Sequence, residues 1–212
     1  MKLKFTLLTI FIISLNLQAQ TDFSVLKQQF LDYRKADLQD SALHIARKMN
    51  QLAFQEQSDT SYWYALSMRY QGNPHYTKGK TDSTNYYWQK SVNLFEKYHR
   101  ESPDYITSLN NLGILYKTMG DYKSAELFYK QSLEIRKKTL GAEHPDYASS
   151  LNNLGILYKT MGDYKSAELF YKQSLEIRKK TLGAEHPDYA GSLNNLGLLY
   201  SDMGDYKSAE PF

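Results

Sequence analysis

The sequence contains no cysteine, so the chain can build neither a disulfide framework nor a cysteine-based zinc site or nucleophile. It also lacks a phosphate-binding glycine loop, a G-x-S-x-G nucleophile elbow and an H-E-x-x-H zinc motif. Its 5 histidines are dispersed singly. These absences argue against an enzyme, and we expect no catalytic residue, no cofactor and no metal.

An excess of charge of one sign is also missing. Lysine and arginine number 26 against 23 acidic residues, which gives a formal net charge of +3 that is spread rather than clustered. Such a balance gives no argument for a nucleic-acid partner. With 42% hydrophobic residues in 212, the chain can bury a continuous core.

Long hydrophobic runs are absent except at residues 5–17, which are too few for the roughly 20 residues that span a bilayer as a helix. Two lysines precede this run, and Ala19 offers a small residue for cleavage. We therefore expect residues 1–20 to be a signal peptide, cleaved near Ala19 or Gln20. No cysteine follows for lipid attachment, so we expect an exported protein, periplasmic or secreted, with no membrane insertion after signal removal.

Internal repetition is what the sequence does contain. Residues 103–144 and 145–186 form the same unit, with differences at two positions, and a third copy occupies residues 187–212. Its last residue, Phe212, matches Phe170 in the middle of the preceding copy. We therefore expect a truncated third repeat and a chain that is a fragment of a longer protein.

Each unit predicts a helical hairpin. Apolar residues recur on one face of a first helix, namely Tyr105, Leu109, Leu112, Tyr116 and Met119. Gly120 ends that helix, and Asp121 caps a second helix over 122–140. Gly113 and Ala125 permit close contact between the two helices, and the tyrosines fall at core positions.

The pattern L-x2-L-G-x2-Y of residues 109–116, followed by A-x3-Y-x2-S of residues 125–132, resembles the tetratricopeptide repeat, with leucine and tyrosine in place of its tryptophan and phenylalanine. The 42-residue period and the junction LGAEHP at 140–145 are similar to the repeats of kinesin light chains and of many bacterial tetratricopeptide proteins. This resemblance implies an all-α fold in which helical hairpins stack into a right-handed superhelix that binds a protein or an extended peptide in its concave groove.

Upstream, the pattern weakens. The motif W-x2-L-S-x2-Y at 63–70 predicts the first helix of a degenerate repeat over 59–102. Residues 71–81, rich in glycine, asparagine, proline and lysine, predict an inserted loop that is either a binding segment or disordered. Residues 21–58 predict an N-terminal capping helix pair, broken near 36–40. We expect its Leu26, Phe30 and Tyr33 to cover the open end of the stack.

The resemblance places a set of polar residues in or beside the groove, which we predict to contact the partner: Asn110, Asn111, Lys117, Asn152, Asn153, Lys159, Asn194 and Asn195. Amides offer both a donor and an acceptor to an extended backbone. Alternatively, one asparagine of each pair satisfies the backbone of a neighbouring repeat. Because each hydrogen bond contributes only about 1 kcal/mol, tight binding also needs more repeats or apolar anchors.

Other features have ordinary structural explanations. His144 and His186 each precede proline and aspartate, which favours a helix start over a metal site. The acidic and basic residues four apart on the second helix, beginning with Glu126 and Lys130, predict a solvated outer surface. We interpret the chain as an exported scaffold for protein–protein or peptide binding. The alternative is the N-terminal repeat region of a longer protein with a C-terminal effector, such as a caspase-like (CHAT) protease domain or a signalling kinase.

Overall fold

A computed structural model describes residues 22–57 and 62–211, and the predicted signal peptide at 1–20 lies outside these ranges. All regular secondary structure within them is helical. The helices are α1 (22–35), α2 (Gln39–Gln57), α3 (Tyr62–Thr77), α4 (Thr81–Tyr98), α5 (Pro103–Thr118), α6 (Tyr122–Leu140), α7 (Pro145–Thr160), α8 (Tyr164–Leu182), α9 (Pro187–Asp202) and α10 (Tyr206–Ala209).

The described residues divide into two compact units, one up to residue 108 and the other from residue 109 onward. Within each unit, helices that follow one another in sequence pack together, which confirms the prediction of stacked helical hairpins. Within the described ranges, no helix combines the length and the hydrophobicity that a membrane crossing requires.

The turn inside each regular hairpin forms as the sequence predicts. Gly120 has a φ of +80°, a conformation that glycine adopts without steric cost. The Asp121 side chain then accepts a hydrogen bond of 3.1 Å from the backbone N–H of Ser124, which caps α6. The next two repeats use the same turn and the same cap, at Gly162, Asp163, Gly204 and Asp205.

Close packing inside the hairpin depends on a glycine that faces an aromatic ring. A Cβ atom added to Gly113 would lie 2.5 Å from the ring of Tyr129, and one added to Gly155 would lie 2.5 Å from the ring of Tyr171. Tyr171 is 1% exposed, and burial, with a smaller contribution from the Asp202 carboxylate, raises the pKa of its phenol to about 12. The phenol is therefore neutral and part of the core.

The predicted inserted loop at 71–81 is wrong. Residues 71–77 complete α3, and only residues 78–80 connect it to α4, as in the regular repeats. The residue of α3 that is equivalent to Gly113 and Gly155 is Gly72 rather than Ser67. A Cβ atom at Gly72 would collide with the indole of Trp88. The indole Nε1 also donates to the backbone oxygen of Arg69 at 3.2 Å, which ties α4 to α3 close to Pro74.

The N-terminal helix pair breaks at residues 36–38, within the predicted region. Phe30 is fully buried, as expected of a residue that covers the stack, whereas Leu26 is partly buried and Tyr33 is 37% exposed. The sequence reasoning missed Phe23, which is buried with its ring centroid 4.4 Å from that of Trp63. Phe23 and Phe30 lie seven residues apart, two helical turns, and thus share one face of α1.

Successive repeats of the second unit are joined by polar contacts. The Tyr158 hydroxyl donates to Glu126 Oε1 at 2.7 Å, and Lys130 pairs with the same oxygen at 2.5 Å. The Lys130 ammonium, followed by the Tyr158 hydroxyl, lowers the pKa of Glu126. Glu126 is thus partly buried at this junction, whereas Lys130, Glu134 and Lys138 are exposed, as predicted for this surface. The following junction repeats these contacts among Tyr200, Glu168 and Lys172.

An arginine near the end of each second helix makes a further junction contact. Arg178 is 7% exposed, and its Nη1 donates to the backbone oxygen of Asp188 and to Ser192 Oγ. The previous junction has the same arrangement, in which Arg136 donates to the backbone of Asp146 and to Ser150. These bonds fix the start of one first helix against the preceding hairpin.

Candidate functional site

The predicted binding residues of the second unit lie on its first helices, α5, α7 and α9. In α7, Asn152, Ile156 and Lys159 are spaced at i, i+4 and i+7, so they share one face of the helix. Each is partly exposed. We call the corresponding surface of the three helices the first-helix face, formed by Asn110, Asn111, Ile114, Lys117, Asn152, Asn153, Ile156, Lys159, Asn194, Asn195 and Leu198.

Two of the predicted asparagines contact each other across the junction between α7 and α9. Asn195 Nδ2 donates to Asn152 Oδ1 at 2.7 Å. The bond joins the first asparagine of one pair to the second asparagine of the next. An asparagine amide has two donors and an acceptor oxygen. The bond therefore leaves Asn152 Nδ2 as a donor and Asn195 Oδ1 as an acceptor.

The other asparagines have different surroundings. Asn110 and Asn153 occupy the same positions one repeat earlier, but Asn110 Oδ1 is buried with no hydrogen-bond partner among the described residues. Asn111 is partly exposed, and Asn194 is exposed. An amide–amide hydrogen bond therefore joins α7 to α9, and the equivalent bond between α5 and α7 is missing.

The two predicted lysines also differ. Lys159 Nζ lies 2.9 Å from Asp202 Oδ2 of the next repeat, so its charge is paired. Lys117 is partly exposed, and the residue that corresponds to Asp202 in its own next repeat is Thr160. The neutral threonine offers Lys117 no such carboxylate. The positive charge of the first-helix face is therefore concentrated toward α5.

Apolar side chains on this face were missed by the sequence reasoning. Ile114 is 37% exposed and Leu198 is 48% exposed. Each lies one helical turn after the first asparagine of its pair, Asn110 or Asn194. Ile156 occupies the same position in the middle repeat and is partly buried. The signal was present in the sequence as an aliphatic residue four positions after the first asparagine of each pair. Exposed aliphatic side chains therefore lie on the same face as the asparagines.

The two histidines considered as metal ligands start helices. His144 Nδ1 accepts a hydrogen bond of 3.1 Å from the backbone N–H of Asp146, and His186 does the same for Asp188. The ring nitrogen thus acts as the N-cap. Within residues 22–57 and 62–211, no group of three or more histidine, aspartate or glutamate side chains is arranged to hold a metal ion.

Comparison with solved structures supports this fold. The chain is similar to the nearly identical TPR-like repeats of a protein described as a kinesin light chain from Podosopora anserina (20% identity, 92% of this chain and 90% of that chain, TM-score 0.75). It is also similar to BtubC (BKLC) from P. vanneervenii (19% identity, 91% and 87%, TM-score 0.69). A Rap protein complexed with competence and sporulation factor aligns with 89% of this chain (15% identity, 51% of that chain, TM-score 0.71).

No curated protein sequence matches the chain. Two family models described as tetratricopeptide repeat do match it, one at residues 106–146 and the other at 128–180 and 170–212. Together they cover half of the chain, and the matched region contains the three repeats that carry the first-helix face. The chain belongs to the tetratricopeptide repeat family.

Proposed function

We propose that the chain is a scaffold that binds an extended segment of a partner protein on the first-helix face of its second unit. The observation that carries this proposal is the pair formed by Asn152 and Asn195. Their mutual hydrogen bond holds both amides in place, so the donor of one and the acceptor of the other are pre-organised for the C=O and N–H of a peptide backbone. The Rap protein that shares the fold was itself solved with a bound factor.

Apolar contacts add to these polar ones. The exposed Ile114 and Leu198 flank the asparagine pair along the stack, and an extended segment presents alternate side chains to such a surface. Two hydrogen bonds at about 1 kcal/mol each barely offset the cost of association, roughly 4–15 kcal/mol, so burial of these side chains is required for stable binding.

A photo-crosslinking amino acid at Ile156 tests where the partner binds. We expect a specific adduct from Ile156 and none from Leu169, an exposed leucine on a second helix that serves as the matched control. With the captured partner, the double variant Asn152→Ala/Asn195→Ala should bind at least roughly tenfold more weakly, since it loses two hydrogen bonds. The paired control Lys123→Ala/Lys165→Ala, on exposed positions of α6 and α8, should bind as the wild type does.

Equal crosslinking from Ile156 and Leu169, or unchanged affinity of the asparagine double variant, would contradict the proposed site. Because the Asn152–Asn195 bond also joins two repeats, the thermal unfolding of each variant is compared by circular dichroism. A variant that binds weakly but melts like the wild type loses a binding contact rather than its fold.

We also propose that the protein is exported before it binds. The support is the basic start, the short apolar run at 5–17 and the small residue Ala19. The N-terminal sequence of the mature protein should begin at Gln20 or Thr21. A mature chain that retains Met1 or the two lysines of the basic start would refute export by this route.

A further inference from the structure

A cleft of about 270 Å³ lies in the second unit, lined by residues of α7, of α8 and of the segment that precedes α7. Its floor is apolar, formed by Ala142, Tyr147, Leu151 and Ile177, and its rim carries Glu143, Gln173, Glu176 and Lys180. The volume is slightly below the usual range of ligand pockets, roughly 300–1,000 Å³. The cleft therefore suits a single side chain.

The rim is net negative. Lys180 Nζ lies 2.5 Å from Glu143 Oε2, so these two charges offset each other. Glu176 lies one helical turn before Lys180 on α8 and is exposed, and no ion pair joins it to a described residue. The Glu143 carboxylate, and to a smaller degree the Glu176 carboxylate, raises the pKa of Lys180. The negative charge of Glu176 therefore acts at the rim of the cleft. One carboxylate of the cleft thus has no cation of its own.

The floor suits the stem of a long side chain. Tyr147 and Ile177 are partly buried hydrophobic residues packed against a core cluster, and Leu151 belongs to that cluster. They are held in place by the hairpin and need no rearrangement. Lysine and arginine carry an alkyl stem that packs on apolar surface while the charged end stays near water. A tyrosine ring beside the stem can also interact favourably with a cation.

We propose that this cleft receives a lysine or arginine side chain of a bound protein, with the alkyl stem on Tyr147 and Ile177 and the cationic end at Glu176. None of the cleft residues belongs to the first-helix face. The cleft is therefore a second contact, which selects partners with a basic residue outside the segment bound at the asparagine pair.

Ligand-observed NMR with the full chain and Nα-acetyl-lysine methylamide tests this site alone. We expect saturation transfer to the lysine stem with the wild type and binding roughly tenfold weaker with Glu176→Gln, since a hydrogen bond to a charged group is lost. Glu185→Gln is the matched control, because Glu185 is also exposed but does not line the cleft. It should leave binding unchanged.

A probe whose amine is acetylated keeps the stem but loses the charge, and it should not bind. Equal binding of the charged and the neutral probe, equal losses in Glu176→Gln and Glu185→Gln, or no saturation transfer at all would each overturn the proposal. Both glutamates are exposed, so neither substitution is expected to unfold the protein. Failure here leaves the crosslinking result at Ile156 unaffected, so the two sites are judged separately.

Discussion

The Tyr171→Ala variant is expected to lose about 3–5 kcal/mol of unfolding free energy, the range found when a large buried aromatic side chain is truncated. Tyr171 is 1% exposed and belongs to a cluster with Ala167, Leu196 and Leu199, which joins α8 to α9. Removing the ring leaves a cavity that the rigid hairpin fills only in part. Urea unfolding followed by circular dichroism measures the loss.

Tyr206→Ala is the matched control for this change. Tyr206 is 72% exposed, so its truncation should alter the unfolding free energy by no more than about 0.5 kcal/mol. If the two variants unfold at the same urea concentration, the tyrosine in the hairpin interior is not a core residue. A large loss in Tyr171→Ala alone shows that the buried ring of Tyr171 stabilises the repeat.

The Gly155→Ala variant is expected to lose about 1–3 kcal/mol, because the added methyl group would lie 2.5 Å from the Tyr171 ring and force the helices apart. Alanine otherwise favours a helix over glycine by about 0.5–1 kcal/mol. Gly191→Ala isolates that benefit, since Gly191 lies in α9 with nothing within 4 Å of the added carbon. It should stabilise the protein by about that amount.

Opposite signs for the same substitution at Gly155 and Gly191 would show that close packing, not helix propensity, selects glycine at the first position. In the Tyr171→Ala background, Gly155→Ala should lose its cost, since the ring that it meets is absent. A destabilisation of equal size in both backgrounds would contradict the assigned contact. Thermal unfolding of the four variants completes the comparison.

The regular repeats could be predicted from the sequence because each of their signals is local. Gly120 and Asp121 specify a turn and a cap within a few residues, and two nearly identical copies confirm the register. Helices α3 and α4 lie within the predicted degenerate repeat at 59–102, but the inserted loop was wrongly predicted, because Trp63 resembles the aromatic residue of the motif and gives the wrong register for the first helix. The better signal was the spacing of Gly72 and Gly79, which equals that of Gly113 and Gly120. The degenerate repeat thus has the two glycines that the backbone requires, although its other side chains no longer match the motif.

The polar contacts of the first-helix face could not be predicted in the same way. Helical periodicity places Asn152 and Lys159 on one face of α7, but it does not show which residues of α9 meet them. That depends on how one hairpin packs on the next. Asn195 and Asp202 become partners only through this packing, which leaves one donor and one acceptor of the amide pair available and pairs the Lys159 charge. Sequence alone identified the residue types but not their pairing.

The junction contacts also make the length of the array adjustable. Glu126 and Tyr158 are 32 residues apart, as are Glu168 and Tyr200, and both pairs form the same hydrogen bond. Loss or gain of one whole 42-residue block by recombination between the nearly identical copies would rejoin matching surfaces. Such an event would shorten or extend the first-helix face by one hairpin and require no compensating substitution.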